Sequence, residues 1–101
     1  MNYLKHILIQ YGWNVRYYEF NIDFAKSYDE QIFELNEDLV LAIKNDYILD
    51  IGWYPEMNPN GFFRTRLIKN YDWERPIVSI KDRTNENLLL HVKKIITDFS
   101  S

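Results

Sequence analysis

A chain of 101 residues, of which 47% are hydrophobic, has room for one domain (residues 1–101) and enough apolar surface to exclude a disordered protein. It has no cysteine, which excludes disulfides and thiolate metal sites and is typical of a reducing compartment. Its net charge is −3, and the excess of negative charge lies between residues 16 and 38, which disfavours nucleic acid as a partner because the phosphates would be repelled.

The first third of the chain predicts a helix, a strand and a segment of ambiguous structure. Residues 2–11 carry apolar side chains at helical spacing, although Ile7–Ile9 alone would also suit a strand. Residues 15–22 alternate, with Tyr18, Phe20 and Ile22 on one face, and predict a strand with one wet face. The sequence from Ser27 to Glu30 matches a capping box and predicts a short helix through residue 35, with a strand as the alternative over residues 27–37.

The remaining residues predict four strands and a helix. Strands are expected over residues 38–44, with Leu39, Leu41 and Ile43 on one face, and over 47–54, 62–69 and 77–81. Between the second and third of these, Asn60-Gly61 is expected to supply a positive φ. An apolar stripe predicts a helix from residue 84 or 85 to 99. The fold class is therefore α+β: a mostly antiparallel sheet of about five strands packed against a C-terminal and an N-terminal helix.

One candidate site lies on the polar face of the hairpin formed by residues 47–69. It gathers Asp50, Tyr54, Arg64 and Arg66, which can form cross-strand charge pairs or a small pocket for an anion or a partner loop. Gly52 lies between them and leaves space for a long neighbouring side chain or for a ligand. This face predicts a small-molecule or peptide-binding domain as the alternative function.

The sequence predicts no catalytic residue, no metal site and no cofactor. His6 and His91 are the only histidines, and they have no metal-ligand spacing. They could act together, or with a carboxylate, only if the fold brought them close. There is no glycine-rich phosphate loop and no nucleophile motif, so we expect a protein that is not an enzyme.

A second candidate site is the acidic segment, which we define as residues 16–38. It contains seven acidic residues and only two basic ones, a pattern that suits a basic protein partner or a solvated surface. Tyr17 and Tyr28 are expected at wet positions beside the acids, as anchors within a charged rim, while Trp73 is expected to cap the end of the core. The acidic residues are Glu19, Asp23, Asp29, Glu30, Glu34, Glu37 and Asp38.

The hairpin also carries a family resemblance. The pattern Asp50-x-Gly52-Trp53-Tyr54-Pro55, followed by Pro59-x-Gly61-Phe62, Leu67-Ile68 and Asp72-Trp73-Glu74-x-Pro76, resembles small immunity proteins of bacterial polymorphic-toxin and contact-dependent growth inhibition systems. The similarity covers roughly residues 39–80. It implies a cytoplasmic protein that binds one cognate toxin domain, often a nuclease, and blocks it by stoichiometric occlusion. The lack of an apolar segment long enough for a signal peptide or membrane span predicts the same compartment.

Overall fold

The computed structural model of the protein describes residues 2–99. In chain order the elements are α1 (Asn2–Gln10), β1 (Asn14–Tyr18), a 3-10 helix (Tyr28–Glu34), β2 (Val40–Lys44), β3 (Tyr47–Tyr54), β4 (Phe62–Lys69), β5 (Val78–Asp82) and α2 (Asn85–Asp98). The strands form one antiparallel sheet in the order β1-β2-β3-β4-β5. The predicted α+β fold is confirmed, with both α-helices. None of the helices within residues 2–99 has the length and apolar character needed to cross a membrane.

The hydrophobic core lies between one face of the sheet and the two α-helices, and we call this face the core face. Leu49, Ile51 and Trp53 of β3 are fully buried there, as their alternation predicts. Helix α2 begins after Thr84, whose hydroxyl oxygen accepts a hydrogen bond from the amide of Asn87 at 3.2 Å. Such an N-cap typically stabilises a helix by about 1 kcal/mol. The predicted stripe of α2 is confirmed, since its buried residues are Leu88, Val92, Ile95 and Ile96.

The turn between β3 and β4 is organised around the indole of Trp53. The indole Nε1 donates a hydrogen bond to the carbonyl oxygen of Asn58 at 2.7 Å. A Cβ on Gly61 would lie 2.7 Å from the same nitrogen, so close approach is the reason for this glycine. The predicted positive φ at Asn60-Gly61 is wrong: within this turn the left-handed residue is Met57, with φ of 59°. The amide of Met57 donates to the carbonyl oxygen of Leu35 at 2.8 Å, which holds the turn beside the end of the 3-10 helix.

The chain before β2 crosses Gly52 of β3 as a bulge-like segment of residues 36–39, which lies outside the strands and which we call the bulge. The amide of Trp53 donates to the carbonyl oxygen of Asn36 at 2.8 Å, and the amide of Leu39 donates to that of Ile51 at 3.0 Å. Residues 37 and 38 therefore lie together opposite Gly52 alone, the two-against-one arrangement of a bulge. A Cβ on Gly52 would stand 2.7 Å from the carbonyl carbon of Glu37 and closer still to its oxygen. The space at Gly52 is thus filled by the protein's own backbone.

The irregular pairing just before Val40 explains why the prediction for β2 is wrong in its start and its faces. The strand begins at Val40 instead of residue 38, and Val40 and Ala42 point to the core face. Leu39 is also buried in the core, whereas Leu41 pairs with Asp50 and lies on the opposite face. A shared face for Leu39, Leu41 and Ile43 is therefore excluded, because Leu39 and Val40 both lie opposite Ile51 and the alternation begins anew at Val40.

Two other strands differ from their predicted bounds, and the ambiguous segment is helical. Strand β1 ends at Tyr18, although Phe20 and Ile22 are buried as their alternation predicts. The segment 27–37 forms a 3-10 helix, interrupted at Gln31 with φ of −141°, which decides for the helical alternative. Gln31 leaves the helical conformation while its side chain bonds the backbone of residues 23, 26 and 27, which fastens the preceding loop. Strand β5 is displaced by one residue and ends at Asp82.

Candidate functional site

The face of the sheet opposite the core is not covered by either α-helix, and we call it the open face. It contains a groove with a cavity volume of about 380 Å³, which we call the open-face groove. The groove runs across β1, β2, β3 and β4 and is bordered by the loop after β4. Its lining includes Tyr17, Asp38, Leu41, Asp50, Arg66 and Trp73.

An ion pair between β3 and β4 lies in the open-face groove. Asp50 and Arg66 are opposite each other in the sheet, and Nη2 and Nε of Arg66 donate to Oδ2 of Asp50 at 2.7 and 3.2 Å. Asp50 is only 6% exposed, and burial raises the pKa of its carboxyl above its ordinary value of 3.8. The charge of Asp38 acts in the same direction, while Arg66 and Arg64 oppose it.

Trp73 forms one wall of this groove. Its side chain is 42% exposed, and the guanidinium of Arg66 lies 5.5 Å from its ring centroid. A cation over an indole face is favourable by about 0.5–1 kcal/mol at an exposed site. The expectation that Trp73 caps the core is therefore wrong, because the loop after β4 carries it onto the open face.

The structure divides the four residues of the predicted hairpin pocket. Asp50 and Arg66 line the open-face groove, whereas Arg64 and Tyr54 do not. The guanidinium of Arg64 lies 5.8 Å from the ring centroid of Tyr54, so these two side chains contact each other. Burial raises the pKa of the Tyr54 hydroxyl, and the charge of Asp50 adds to that rise. Part of the predicted pocket is thus a groove, and the rest is an aromatic–cation pair beside it.

The acidic segment does not form one continuous site. Tyr17 and Asp38 line the open-face groove, whereas Asp29 lines a different cavity together with Lys26 and Arg83. Three of the carboxylates accept local hydrogen bonds: Asp23 from the amide of residue 25 at 2.9 Å, Glu19 from the side-chain amide of residue 21 at 3.4 Å, and Glu30 from the hydroxyl of residue 27 at 3.2 Å. The acids differ in exposure: Glu19, Asp23, Asp29, Glu30, Glu37 and Asp38 are exposed and Glu34 is half-buried.

Tyr28 is packed at the end of the core, contrary to its predicted position at a wet surface. Its ring centroid is 4.6 Å from that of Trp53, and its hydroxyl donates to the carbonyl oxygen of Arg83 at 2.5 Å. Burial raises the pKa of this hydroxyl, although the charge of Arg83 opposes the rise. Tyr28 thus links the 3-10 helix to the segment before α2, and these contacts leave little of its ring surface exposed for a partner.

Phe33 is a surface residue that sequence reasoning missed. It lies in the 3-10 helix with 77% of its surface exposed, and Asp29, Glu30 and Glu34 belong to the same helix. We call these four residues the Phe33 surface. The sequence predicted a helix or a strand over this segment and gave no signal for which of its apolar residues, Ile32, Phe33 and Leu35, would point outward.

The fold brings one of the two histidines, His91, close to a carboxylate, a pairing that the sequence left open. Nδ1 of His91 lies 3.0 Å from both carboxylate oxygens of Asp82, which is 6% exposed. The pair joins α2 to the edge strand β5. His6 is exposed on α1, so the two histidines are placed in different surroundings. Within residues 2–99 no group of three histidine, aspartate or glutamate side chains could hold a metal ion.

The fold and these surfaces define an α+β protein with one sheet face that neither α-helix covers and an exposed aromatic residue on an acidic helix. Comparison of the chain with family models, with curated proteins and with solved structures finds no match. We therefore infer function from the Phe33 surface and the open-face groove.

Proposed function

We propose that the protein is an immunity protein, which binds and neutralises a cognate toxin domain, of the nuclease kind, by stoichiometric occlusion. The observation that carries this proposal is Phe33, an aromatic side chain that is 77% exposed on a short helix that also carries three carboxylates. Covering an exposed phenylalanine with a partner surface lowers the free energy of the complex, whereas the exposed side chain contributes nothing to the core of the free protein. Aromatic anchors inside a charged rim are typical of protein-binding surfaces.

The charges of the acidic segment indicate a basic partner. Its seven acids are opposed within the segment only by Arg16 and Lys26. A toxin that cleaves nucleic acid needs a basic surface for its substrate, and such a surface complements these carboxylates. Attraction between the two surfaces accelerates association, and burial of Phe33 and the 41% exposed Tyr17 slows dissociation. In this proposal Phe33 takes the role of anchor that the sequence assigned to Tyr28.

The first test is co-purification of the protein with the products of the adjacent genes, followed by affinity measurement for Phe33→Ala with the toxin that this identifies. We expect at least about a tenfold loss of affinity, the effect of removing a hot-spot side chain. Leu90→Ala is the matched control, since Leu90 is 66% exposed on α2, outside the acidic segment. Unchanged affinity in Phe33→Ala, or an equal loss in both variants, would contradict the proposed anchor.

The second test concerns charge. Reversal of Glu30, Glu34 and Glu37 to lysine should lower the association rate and weaken its dependence on salt concentration. The control variant reverses the same number of acids outside the segment and therefore has the same net charge: Glu74, Glu86 and Asp98. If both variants associate equally fast at every salt concentration, the acidic segment is not the docking surface.

A second candidate function is binding of a small molecule or peptide at the open-face groove. It is favoured by the cavity of about 380 Å³, which lies within the range of roughly 300–1,000 Å³ typical of ligand sites. This candidate predicts saturable binding of a ligand that does not require the Phe33 surface. Phe33→Ala should then leave that binding unchanged.

A further inference from the structure

The open-face groove contains more negative than positive charge. Asp50 is paired with Arg66 through two hydrogen bonds, whereas the exposed side chain of Asp38 has no ion pair or hydrogen bond within residues 2–99. Two carboxylates and one guanidinium therefore line the same cavity. The next cation along β4, Arg64, acts on Asp50 through its charge but lies over Tyr54 and does not line the groove. The lining of the groove thus carries one more negative charge than positive charge.

The β-bulge keeps Asp38 in this position. Because Asn36 and Leu39 both bond to β3, the backbone on either side of residues 37 and 38 is fixed against Gly52. Asp38 is thereby held within electrostatic reach of Asp50, whose pKa it helps to raise. A third acid, Glu37, belongs to the same bulge. The backbone positions of both acids are therefore fixed by the sheet.

The walls of the groove are suited to the flat or extended part of a basic side chain. Tyr17 and Trp73 are 41% and 42% exposed, and Leu41 supplies an apolar surface between the strands. Arg66 already shows the arrangement that this groove accommodates, with its guanidinium on the carboxylate of Asp50 and 5.5 Å from the Trp73 centroid. Guanidinium groups combine carboxylate pairing with aromatic stacking in this way.

We propose that the open-face groove binds one arginine or lysine side chain of the protein partner, with Asp38 as its carboxylate and Tyr17 and Trp73 as its aromatic walls. This inference rests on the proposed function, since the basic partner supplies the side chain. It adds a second contact point to the Phe33 surface, from which Asp38 is separated by only a few residues of chain. The groove would then select partners that present a basic side chain on a protruding segment.

The test is a titration of the isotope-labelled protein with acetyl-Gly-Arg-Gly-amide, followed by nuclear magnetic resonance. The indole N–H signal of Trp73, assigned with Trp73→Phe, reports on the groove. The matched control peptide contains citrulline in place of arginine and has the same shape without the charge. We expect saturable shifts with the arginine peptide and at least about fivefold weaker binding of the citrulline peptide, because a charged hydrogen bond is about twice as strong as a neutral one.

Variants of the protein test the role of Asp38. Asp38→Asn should weaken binding of the arginine peptide by about fivefold or more while its amide spectrum shows an intact fold. Glu30→Gln, which removes an acid of the Phe33 surface, should leave peptide binding unchanged. No saturable shift with the arginine peptide, equal binding of both peptides, preferential binding of acetyl-Gly-Glu-Gly-amide, or an unaffected Asp38→Asn would each overturn the proposal. None of these results decides co-purification with the toxin, and loss of co-purification would not alter the titration.

Discussion

Substitution of Gly52 by alanine is the sharpest test of how the candidate site is built. The added Cβ would stand 2.7 Å from the carbonyl carbon of Glu37, whereas ordinary contacts of this kind begin near 3.4 Å. The neighbouring atom is backbone, so no side-chain rotation relieves the overlap. The bulge must therefore move away from β3, and the hydrogen bonds on either side of it must lengthen or break.

The expected cost follows from two contributions. The two hydrogen bonds that flank the bulge, Trp53 to Asn36 and Leu39 to Ile51, are each worth about 1 kcal/mol net. Overpacking of a well-packed site costs about 1–3 kcal/mol when the structure shifts to relieve it, and part of that cost is the loss of these same bonds. We therefore expect Gly52→Ala to lower the free energy of unfolding by about 2–4 kcal/mol. For a domain of this size that corresponds to a fall in Tm of roughly 10–25 °C.

Thermal and urea unfolding, followed by circular dichroism, measure this loss. Glu37→Ala is the control, because it removes the side chain but keeps the carbonyl that contacts Gly52, and its expected effect is within about 0.5 kcal/mol. A Tm of Gly52→Ala within about 2 °C of the unsubstituted protein would refute the role assigned to the bulge. So would an equal loss in Glu37→Ala, since the cost would then come from the side chain.

Three further predictions concern groups away from the bulge. Burial raises the pKa of Asp50 above 3.8, so the folded state binds a proton at this carboxyl more tightly than the unfolded chain does, and the stability that Asp50 contributes falls as pH rises from about 3.8 through the raised pKa. Asp50→Asn should remove this pH dependence of the free energy of unfolding when unfolding is measured at successive pH values. Identical pH dependence in both proteins would contradict the prediction. Tyr28→Phe should cost about 1 kcal/mol and Tyr28→Ala about 3 kcal/mol in thermal unfolding, and equal costs would argue against ring packing. His91→Ala leaves the buried Asp82 without its hydrogen bond and should cost about 1–3 kcal/mol in urea unfolding, whereas the exposed His6→Ala should change it by less than about 0.5 kcal/mol.

Much of the fold was predictable because its signals are local. The apolar stripe of α2 and the alternation of β3 and β4 specify both elements, and the bounds of β3 and β4 agree with the predicted 47–54 and 62–69. In these segments each side chain has neighbours that the sequence spacing already places, at two residues in a strand and three or four in a helix. Turn residues such as Asn45, with φ of 54°, agree with the tight connection between β2 and β3.

The candidate surfaces depended on contacts between distant segments. Gly52 was recognisable as a place of close approach, but only the fold shows that residues 37 and 38 fill it. For the same reason the periodicity could not show that Leu41 faces the groove while Leu39 faces the core.

Exposure of the aromatic residues was decided in the same way. An aromatic side chain beside carboxylates can be an anchor or part of the core, and composition does not distinguish the two. Contact with the ring of Trp53 places Tyr28 in the interior, whereas Phe33, near the interruption of the helix at Gln31, is exposed to solvent. The sequence by itself thus determined most of the helices and strands and the number of acidic residues before β2. Only the tertiary structure decided which of those residues meet the outside, because burial is a property of the partner segment and not of the residue.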